Sequence, residues 1–295
     1  MKNLKNKVLI ITGAGSGIGR ALALHLAQEG ARLALNDWNK ETLQATVDLI
    51  GQEKVRVYSQ VFDVSDRPTW ELFAKKVNDH FGQIDGIFNN AGITTFPETI
   101  PETDPIDFSR LIEINLWGVI HGSQVAIPYL LKQKESLLVN VSSLLGLMGY
   151  AGQGAYVTSK FAVRGFTETL RQELVGTGAL VTAVHPGPVK TNLTRNIKYH
   201  DQDLLNRLSL FFDDAATTTP EEAAEIIIKG IKKGKHRVLL SPRTKMLDRL
   251  TRLLPNSYHR FLPRNFRPGH LIKKALAKRA AEKKGVPLEE GVRTK

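Results

Sequence analysis

The chain contains no cysteine, which excludes disulfides, thiolate metal sites and a cysteine nucleophile without deciding the compartment. It also lacks any apolar run near the roughly 18 to 20 residues that span a bilayer, and its polar start, residues 1–7, leads directly into a strand pattern. The expectation is a chain with neither signal peptide nor spanning helix, with the cytoplasm as the default compartment. Aromatic residues make up only 7%, yet hydrophobic residues reach 42% and charged ones 24%, a globular balance that argues against a disordered body. A length of 295 residues is enough to bury one large α/β core in a single domain.

Acidic residues are scarce at one end. From Lys229 onward there are 20 Lys and Arg against 4 Asp and Glu, a net +16, whereas residues 1–228 carry 21 against 25, a net −4. A basic body would point to nucleic acid; a weakly acidic body with a basic end makes nucleic acid the least expected partner. Two stretches of that end have helical apolar spacing, residues 246–254 and the strongly basic 271–284. They are read as solvated or self-packing helices, or as a peripheral contact with an anionic membrane surface.

Through the rest of the chain, short β-branched or apolar runs alternate with helical patterns. Strands are expected at residues 7–12, 32–36, 55–62, 84–89, 137–142, 180–185 and 237–240, and helices at 17–29, 40–50, 68–81, 105–132, 156–176 and 220–233. Pro220 following Thr217, Thr218 and Thr219 is a helix-start signal. Repeated βαβ units predict a doubly wound, seven-stranded parallel sheet in three α/β/α layers, with the ligand crevice beyond the carboxyl ends of the strands. Residues 192–219 form the longest connection and are a candidate lid.

The first strand runs into Thr12-Gly13-Ala14-Gly15-Ser16-Gly17-Ile18-Gly19 and then a helix. Glycines allow close backbone approach to a pyrophosphate, and the helix N-terminus directs unpaired N–H groups at negative charge. A tight turn without a ligand is the plainer reading of such a segment taken alone. Asp37 ends the second strand, 20 residues after Gly17, where a carboxylate can bind ribose hydroxyls and repel a 2′-phosphate, or simply cap the turn at residues 38–40. No Arg follows it and residue 16 is Ser, so NAD is favoured, with NADP as the alternative.

With six Tyr in the chain, one Tyr-x-x-x-Lys is expected by chance about half a time, so Tyr156-Val-Thr-Ser-Lys160 is weak alone. The ordered set of TGAGSGIG at 12–19, NNAG at 89–92, YVTSK at 156–160 and HPGPVKT at 185–191 resembles the short-chain dehydrogenase/reductase family, in its shorter single-domain branch, over residues 5–240. The resemblance implies a Rossmann-type fold and a dinucleotide held by Gly13, Ser16, Gly17, Ile18, Gly19 and Asp37. Asp63 and Val64 would lie at the adenine; Asn90, Ala91 and Gly92, with a mainly structural Asn89, would flank the cofactor. Pro186, Gly187, Val189 and Thr191 would wrap the nicotinamide, while Tyr156 and Lys160 would also touch it.

It further implies a catalytic set of Asn115, Ser143, Tyr156 and Lys160. Ser143, rather than Ser142, stands at the family's distance of 13 residues before Tyr156. A free phenol has a pKa of about 10, and a lysine at i+4 shares its helical face and favours the phenolate. Tyr156 would be the acid/base, Lys160 its modifier and ribose ligand, Ser143 the substrate clamp and Asn115 the organiser of a relay water. No metal is expected: His185 precedes the 186–191 turn, but no further ligands share metal spacing with it.

The expected activity is an NAD(P)-dependent alcohol dehydrogenase or carbonyl reductase. Residues 93–100, 144–150 and 193–212 are the expected substrate contacts and are largely apolar, which favours a lipophilic alcohol, ketone or aldehyde. Residues 1–240 would form the dinucleotide-binding catalytic domain and 241–295 a basic C-terminal extension. The resemblance implies a homodimer or homotetramer through the helices carrying Asn115 and Tyr156. The rival readings are a non-catalytic dinucleotide sensor or scaffold and an NADP-dependent carbonyl reductase.

Overall fold

A computed structural model describes residues 1–51, 56–193, 197, 206, 210 and 216–261. Seven strands, β1 (Val8–Thr12), β2 (Arg32–Asp37), β3 (Val57–Val61), β4 (Gly86–Asn89), β5 (Ser136–Val141), β6 (Ala179–His185) and β7 (Arg237–Leu239), form one sheet in the order β3-β2-β1-β4-β5-β6-β7. Every pairing is parallel. All five residues of β1 are buried, as an unbroken apolar run must be when both sheet faces are covered.

The helices are α1 (Gly17–Gln28), α2 (Lys40–Ile50), α3 (Arg67–Phe81), α4 (Pro105–Ile112), α5 (Gly118–Leu130), α6 (Gly154–Glu173), α7 (Pro220–Lys232) and α8 (Pro242–Leu253). Leu9 and Ile11 of β1 pack with Leu22, Leu43 and Ile227 on one face, from α1, α2 and α7. Val8 and Ile10 pack with Trp70, Phe73, Ala126 and Leu170 on the other, from α3, α5 and α6. The two-residue period of the strand thus feeds two cores. The order of strands reverses between β1 and β4, and this switch point opens the crevice where their carboxyl ends diverge. The three-layer α/β/α architecture is the one the sequence predicts.

Several boundaries differ from the expectation. The single helix expected over 105–132 is broken: α4 ends at Ile112, a π-helical turn covers Glu113–Trp117, and α5 follows. The wider π turn rotates Asn115 into the interior, where it binds the Ile93 backbone. Helix α6 starts at Gly154, two residues earlier than expected. Thr219 caps α7 in a reciprocal box with Glu222, beside Pro220 at the helix start. Most of the lid expected at 192–219, and all of the basic helix expected at 271–284, lie outside the described residues.

The segment after β7 folds against the body. Leu247 of α8 is buried with Leu144 and Met148, and Leu250 and Tyr258 pack around them. Asp248 accepts two bonds from Arg237, at 3.0 and 2.6 Å, and one from Arg252 at 3.1 Å. Burial works against the Asp248 carboxylate, but these cations outweigh it and hold its pKa below the ordinary carboxylate range. A depressed pKa means the stabilisation is present at neutral pH and is lost as pH falls through the folded-state value. Asp248→Asn is therefore expected to cost about 1–3 kcal/mol at neutral pH, with the gap from wild type closing in acid. Urea unfolding at two pH values measures this, and an unchanged stability at pH 7 would mean that Arg237 is equally well satisfied by water.

Candidate active site

The site is assembled where the loops after β1, β4, β5 and β6 meet. The Thr12 hydroxyl accepts the Asn90 and Ala91 N–H groups, each at 3.0 Å, and the Asn90 amide donates to the Thr12 carbonyl at 2.9 Å. These bonds stitch the glycine loop to residues 89–92. Gly13 has φ +63°, and a Cβ there would lie 2.9 Å from the Ala91 Cα; at Gly19 it would overlap the Gly13 carbonyl. The third glycine, Gly17, has φ +51°, and its absent side chain leaves room occupied on the far side by Thr191.

This geometry fits a dinucleotide pyrophosphate. Ser16 makes no side-chain cap on α1, and no acidic residue stands in the first turn, so the N–H groups of this helix end remain available to an anion. Ile18 is partly buried against the core and holds the turn from below. Asp37 is buried beside the loop, one oxygen accepting the Gly15 N–H at 2.9 Å and the other the Asn39 N–H at 3.0 Å. It therefore caps its own turn and faces the glycine loop at once. Arg20, which sequence reasoning passed over, donates to the carbonyls of Gly15 and Thr42 and to Thr46 Oγ1. Its guanidinium is occupied in holding the loop to α2.

Farther along the crevice, Asp63 is exposed and accepts from the Ser65 N–H and hydroxyl at 2.9 and 2.8 Å. Both residues open on a cleft of about 510 Å³ shared with Ile106, Arg110 and Ile114. Val64 is buried, its carbonyl taking the Trp70 indole N–H at 2.9 Å. Asn89 lies below the surface, bonded to Ser123 and Asn140.

Tyr156 and Lys160 project from the first turns of α6, one helical turn apart, with the Lys160 Nζ 5.7 Å from the centre of the Tyr156 ring. Nζ donates to the Val141 carbonyl at 3.1 Å. Burial lowers the Lys160 pKa to about 8. Burial also raises the Tyr156 phenol, and a hydrogen bond with the Ser143 hydroxyl opposes that rise. In the chain alone, then, burial is the dominant influence on the phenol.

Ser142 and Ser143 engage different groups. The Ser142 hydroxyl donates to the Lys160 carbonyl at 2.8 Å and is fully engaged in holding α6 to β5, whereas the Ser143 hydroxyl accepts the Leu145 N–H at 3.1 Å and faces Tyr156. Asn115, fully buried, accepts the Ile93 N–H at 2.8 Å and donates to the Ile93 carbonyl and the Ser159 hydroxyl at 2.9 and 3.1 Å. Gly92 separates Asn115 from Lys160: a Cβ there would sit 3.1 Å from Asn115 Oδ1 and 3.2 Å from Lys160 Nζ. Only glycine lets both groups approach the backbone this closely.

The fourth loop closes the crevice. The Pro186 carbonyl accepts the Leu144 N–H at 2.7 Å, Gly187 lies against Thr244 of α8, Val189 pairs with Thr218, and Thr191 abuts Gly17. His185 sits beneath Ser143, its Nδ1 3.0 Å from the Ser143 carbonyl. Burial pulls its pKa down to about 4, so it is a neutral packed donor here. Two further residues gave no motif signal. Gln153, buried one turn before Tyr156, accepts the Thr94 hydroxyl at 3.1 Å. The Tyr258 hydroxyl accepts the Gly149 N–H at 3.3 Å, fastening the far end of the 144–150 loop.

Comparison with known proteins agrees with this geometry. The family model for short chain dehydrogenase matches residues 7–202. A putative oxidoreductase, SadH, of Mycobacterium tuberculosis is 40% identical over 265 residues, covering 89% of this chain and 96% of its own. Among solved structures, a short chain dehydrogenase/reductase from Burkholderia phymatum in complex with NAD aligns with a TM-score of 0.80 at 27% identity, covering 86% of this chain and 96% of that one. An alcohol dehydrogenase from Thermococcus sibiricus complexed with 5-hydroxy-NADP aligns at 0.69 and 27% identity, covering 79% and 95%. Glycine cradle, open helix end and matching relatives lead to one conclusion: the chain belongs to the short-chain dehydrogenase/reductase family and is an oxidoreductase with NAD or NADP as cofactor.

Proposed function

We propose that the chain interconverts an alcohol and its ketone or aldehyde, that it favours NAD over NADP, and that Tyr156 is the acid/base. The observation that carries this is the meeting of Tyr156, Ser143, Lys160 and Asn115 at the carboxyl ends of the central strands, beside the glycine loop. The nicotinamide, when bound, supplies the hydride acceptor or donor. The protein's task is then to hold the reacting carbon and move one proton.

Ser143 would hold the substrate oxygen, since its hydroxyl already lies beside the phenol. Tyr156 would take the hydroxyl proton in oxidation and return it in reduction. Lys160, kept by burial near neutrality, can exchange a proton close to physiological pH. Asn115 and Lys160 approach each other across Gly92, and Asn115 would organise a relay water leading to Lys160. Asp37 supports NAD because its carboxylate stands where a 2′-phosphate would be repelled, and Arg20 is bound to backbone carbonyls instead of being free to neutralise one. Of the loops expected to touch substrate, residues 144–150 are largely apolar, which supports a lipophilic substrate. A second reading, a sensor that binds the dinucleotide without turnover, would keep the cradle and lose nothing if Tyr156 were inert.

Absorbance at the reduced nicotinamide band, with both cofactors against a panel of alcohols and carbonyls, tests the reading. Tyr156→Phe should lower kcat by about 10² to 10⁴ while dinucleotide binding persists; binding without Tyr156-dependent turnover on any of the panel would favour the sensor. Asp37→Ala should shift the NAD to NADP ratio of kcat/KM toward NADP by about ten-fold or more, and an unchanged ratio would remove Asp37 from cofactor choice. Because burial raises the phenol's pKa, the phenolate fraction grows with pH throughout the range above neutrality: kcat/KM for oxidation should rise with pH there, while that for reduction, which uses the protonated phenol, should hold until the phenol's own range is reached. A flat profile in both directions would assign the proton to another group.

A further inference from the structure

We propose that the basic cleft between α7, β7 and α8 docks the chain on an anionic membrane surface by binding phosphate-bearing lipid headgroups. The cleft, about 340 Å³, is lined by the cations Lys229, Lys233, Lys235, Arg237, Lys245 and Arg249. Its lining acid, Asp248, is fully engaged by Arg237 and Arg252. Lys229 is paired with Glu225. That leaves Lys233, Lys235, Lys245 and Arg249 without a carboxylate partner among the described residues. They come from the end of α7, the turn before β7 and the first turns of α8, so three separate elements converge on one concavity. A merely solvated charged helix face has no reason to do so.

The apolar residues beside the cleft identify the ligand's other half. Met246 and Leu253 are 60% and 79% exposed. They stand three residues before and four after Arg249, on the same helical face, while Leu247 and Asp248 face the body. Phe261, 64% exposed, follows at the end of the described chain. Cations interleaved with outward apolar side chains suit a surface with phosphates above and acyl chains below. Nucleic acid offers the phosphates and a free phosphate ester offers one of them, but neither gives Met246 and Leu253 an apolar medium. The charge distribution agrees: the +16 carried from Lys229 onward, opposite a body of −4, orients this end toward an anionic sheet. The inner face of α8 packs on Leu144 and Met148, so the docked edge adjoins the loop that precedes α6.

The test is flotation of the full chain with phosphatidylcholine vesicles that do or do not contain one-third phosphatidylglycerol. The chain should rise with the phosphatidylglycerol vesicles alone and be released by high salt. Lys233→Gln, Lys235→Gln, Lys245→Gln and Arg249→Gln should each weaken partitioning about five-fold, and Met246→Ser with Leu253→Ser should weaken it about ten-fold. None of the six touches the candidate active site, so thermal melting and reduced-dinucleotide fluorescence serve as controls for folding. Equal flotation with both vesicles, or wild-type flotation of the quadruple Gln variant, overturns the proposal. If the Ser pair floats as wild type and glycerol 3-phosphate binds saturably in solution, the site takes a free phosphate ester and the lipid assignment fails. Tighter binding to a DNA duplex than to the anionic vesicles overturns it in favour of nucleic acid.

Discussion

The seating of α6 on β5 is the constraint from which the rest of the site follows. Asn140 of β5 donates to Thr167 of α6 at 3.0 Å and accepts from Asn89 of β4 at 2.8 Å, and Asn89 also donates to Ser123 of α5. Two more bonds act at the helix's opening turns, Ser142 to the Lys160 carbonyl and Lys160 Nζ to the Val141 carbonyl. A polar chain in so apolar an interior is costly wherever it is left incomplete, so it admits one register of helix against sheet. That register places Tyr156 and Lys160 above the end of β5, facing Ser143.

A second set of bonds does for the cofactor crevice what the first does for the helix. Parallel strands end together, so the loops leaving β1 and β4 are neighbours from the outset. The Thr12 hydroxyl then fixes their separation through two N–H groups. Asp37 holds the loop from the β2 side and Arg20 from behind. The crevice is thereby organised by the protein's own backbone bonds, which lowers the ordering cost of binding a flexible dinucleotide.

Much of this was legible in the sequence because it rests on short-range chemistry. A buried parallel strand needs an apolar run, and Val8–Thr12 is one; a phosphate cradle needs glycines before a helix, and Gly13 to Gly19 supply them. The π turn at Glu113–Trp117 was not legible. Its apolar spacing is that of an ordinary helix, and the extra residue is accommodated only because Asn115 finds the Ile93 backbone, 22 residues away. Gln153 and Tyr258 were invisible for a similar reason, since their partners Thr94 and Gly149 are distant in the chain. The charge asymmetry of the C-terminal region was evident from composition, but its folding of Leu247 into the body depends on a pocket made by Leu144 and Met148.

By itself the sequence determined the layer architecture, the strand count and the glycine-rich turn before α1, because each depends on periodicity or on residues within a few positions of one another; the Tyr156–Lys160 pair stood out only through the ordered set of motifs over residues 12–191. Only the tertiary structure decided which of the two serines faces the phenol, how Asn115 turns inward, that Arg20 is occupied by the backbone, and that burial raises the Tyr156 phenol against its hydrogen bond with Ser143. Those outcomes depend on distances between segments far apart in the chain and on exclusion of water from the space between them, and neither quantity is written in local sequence.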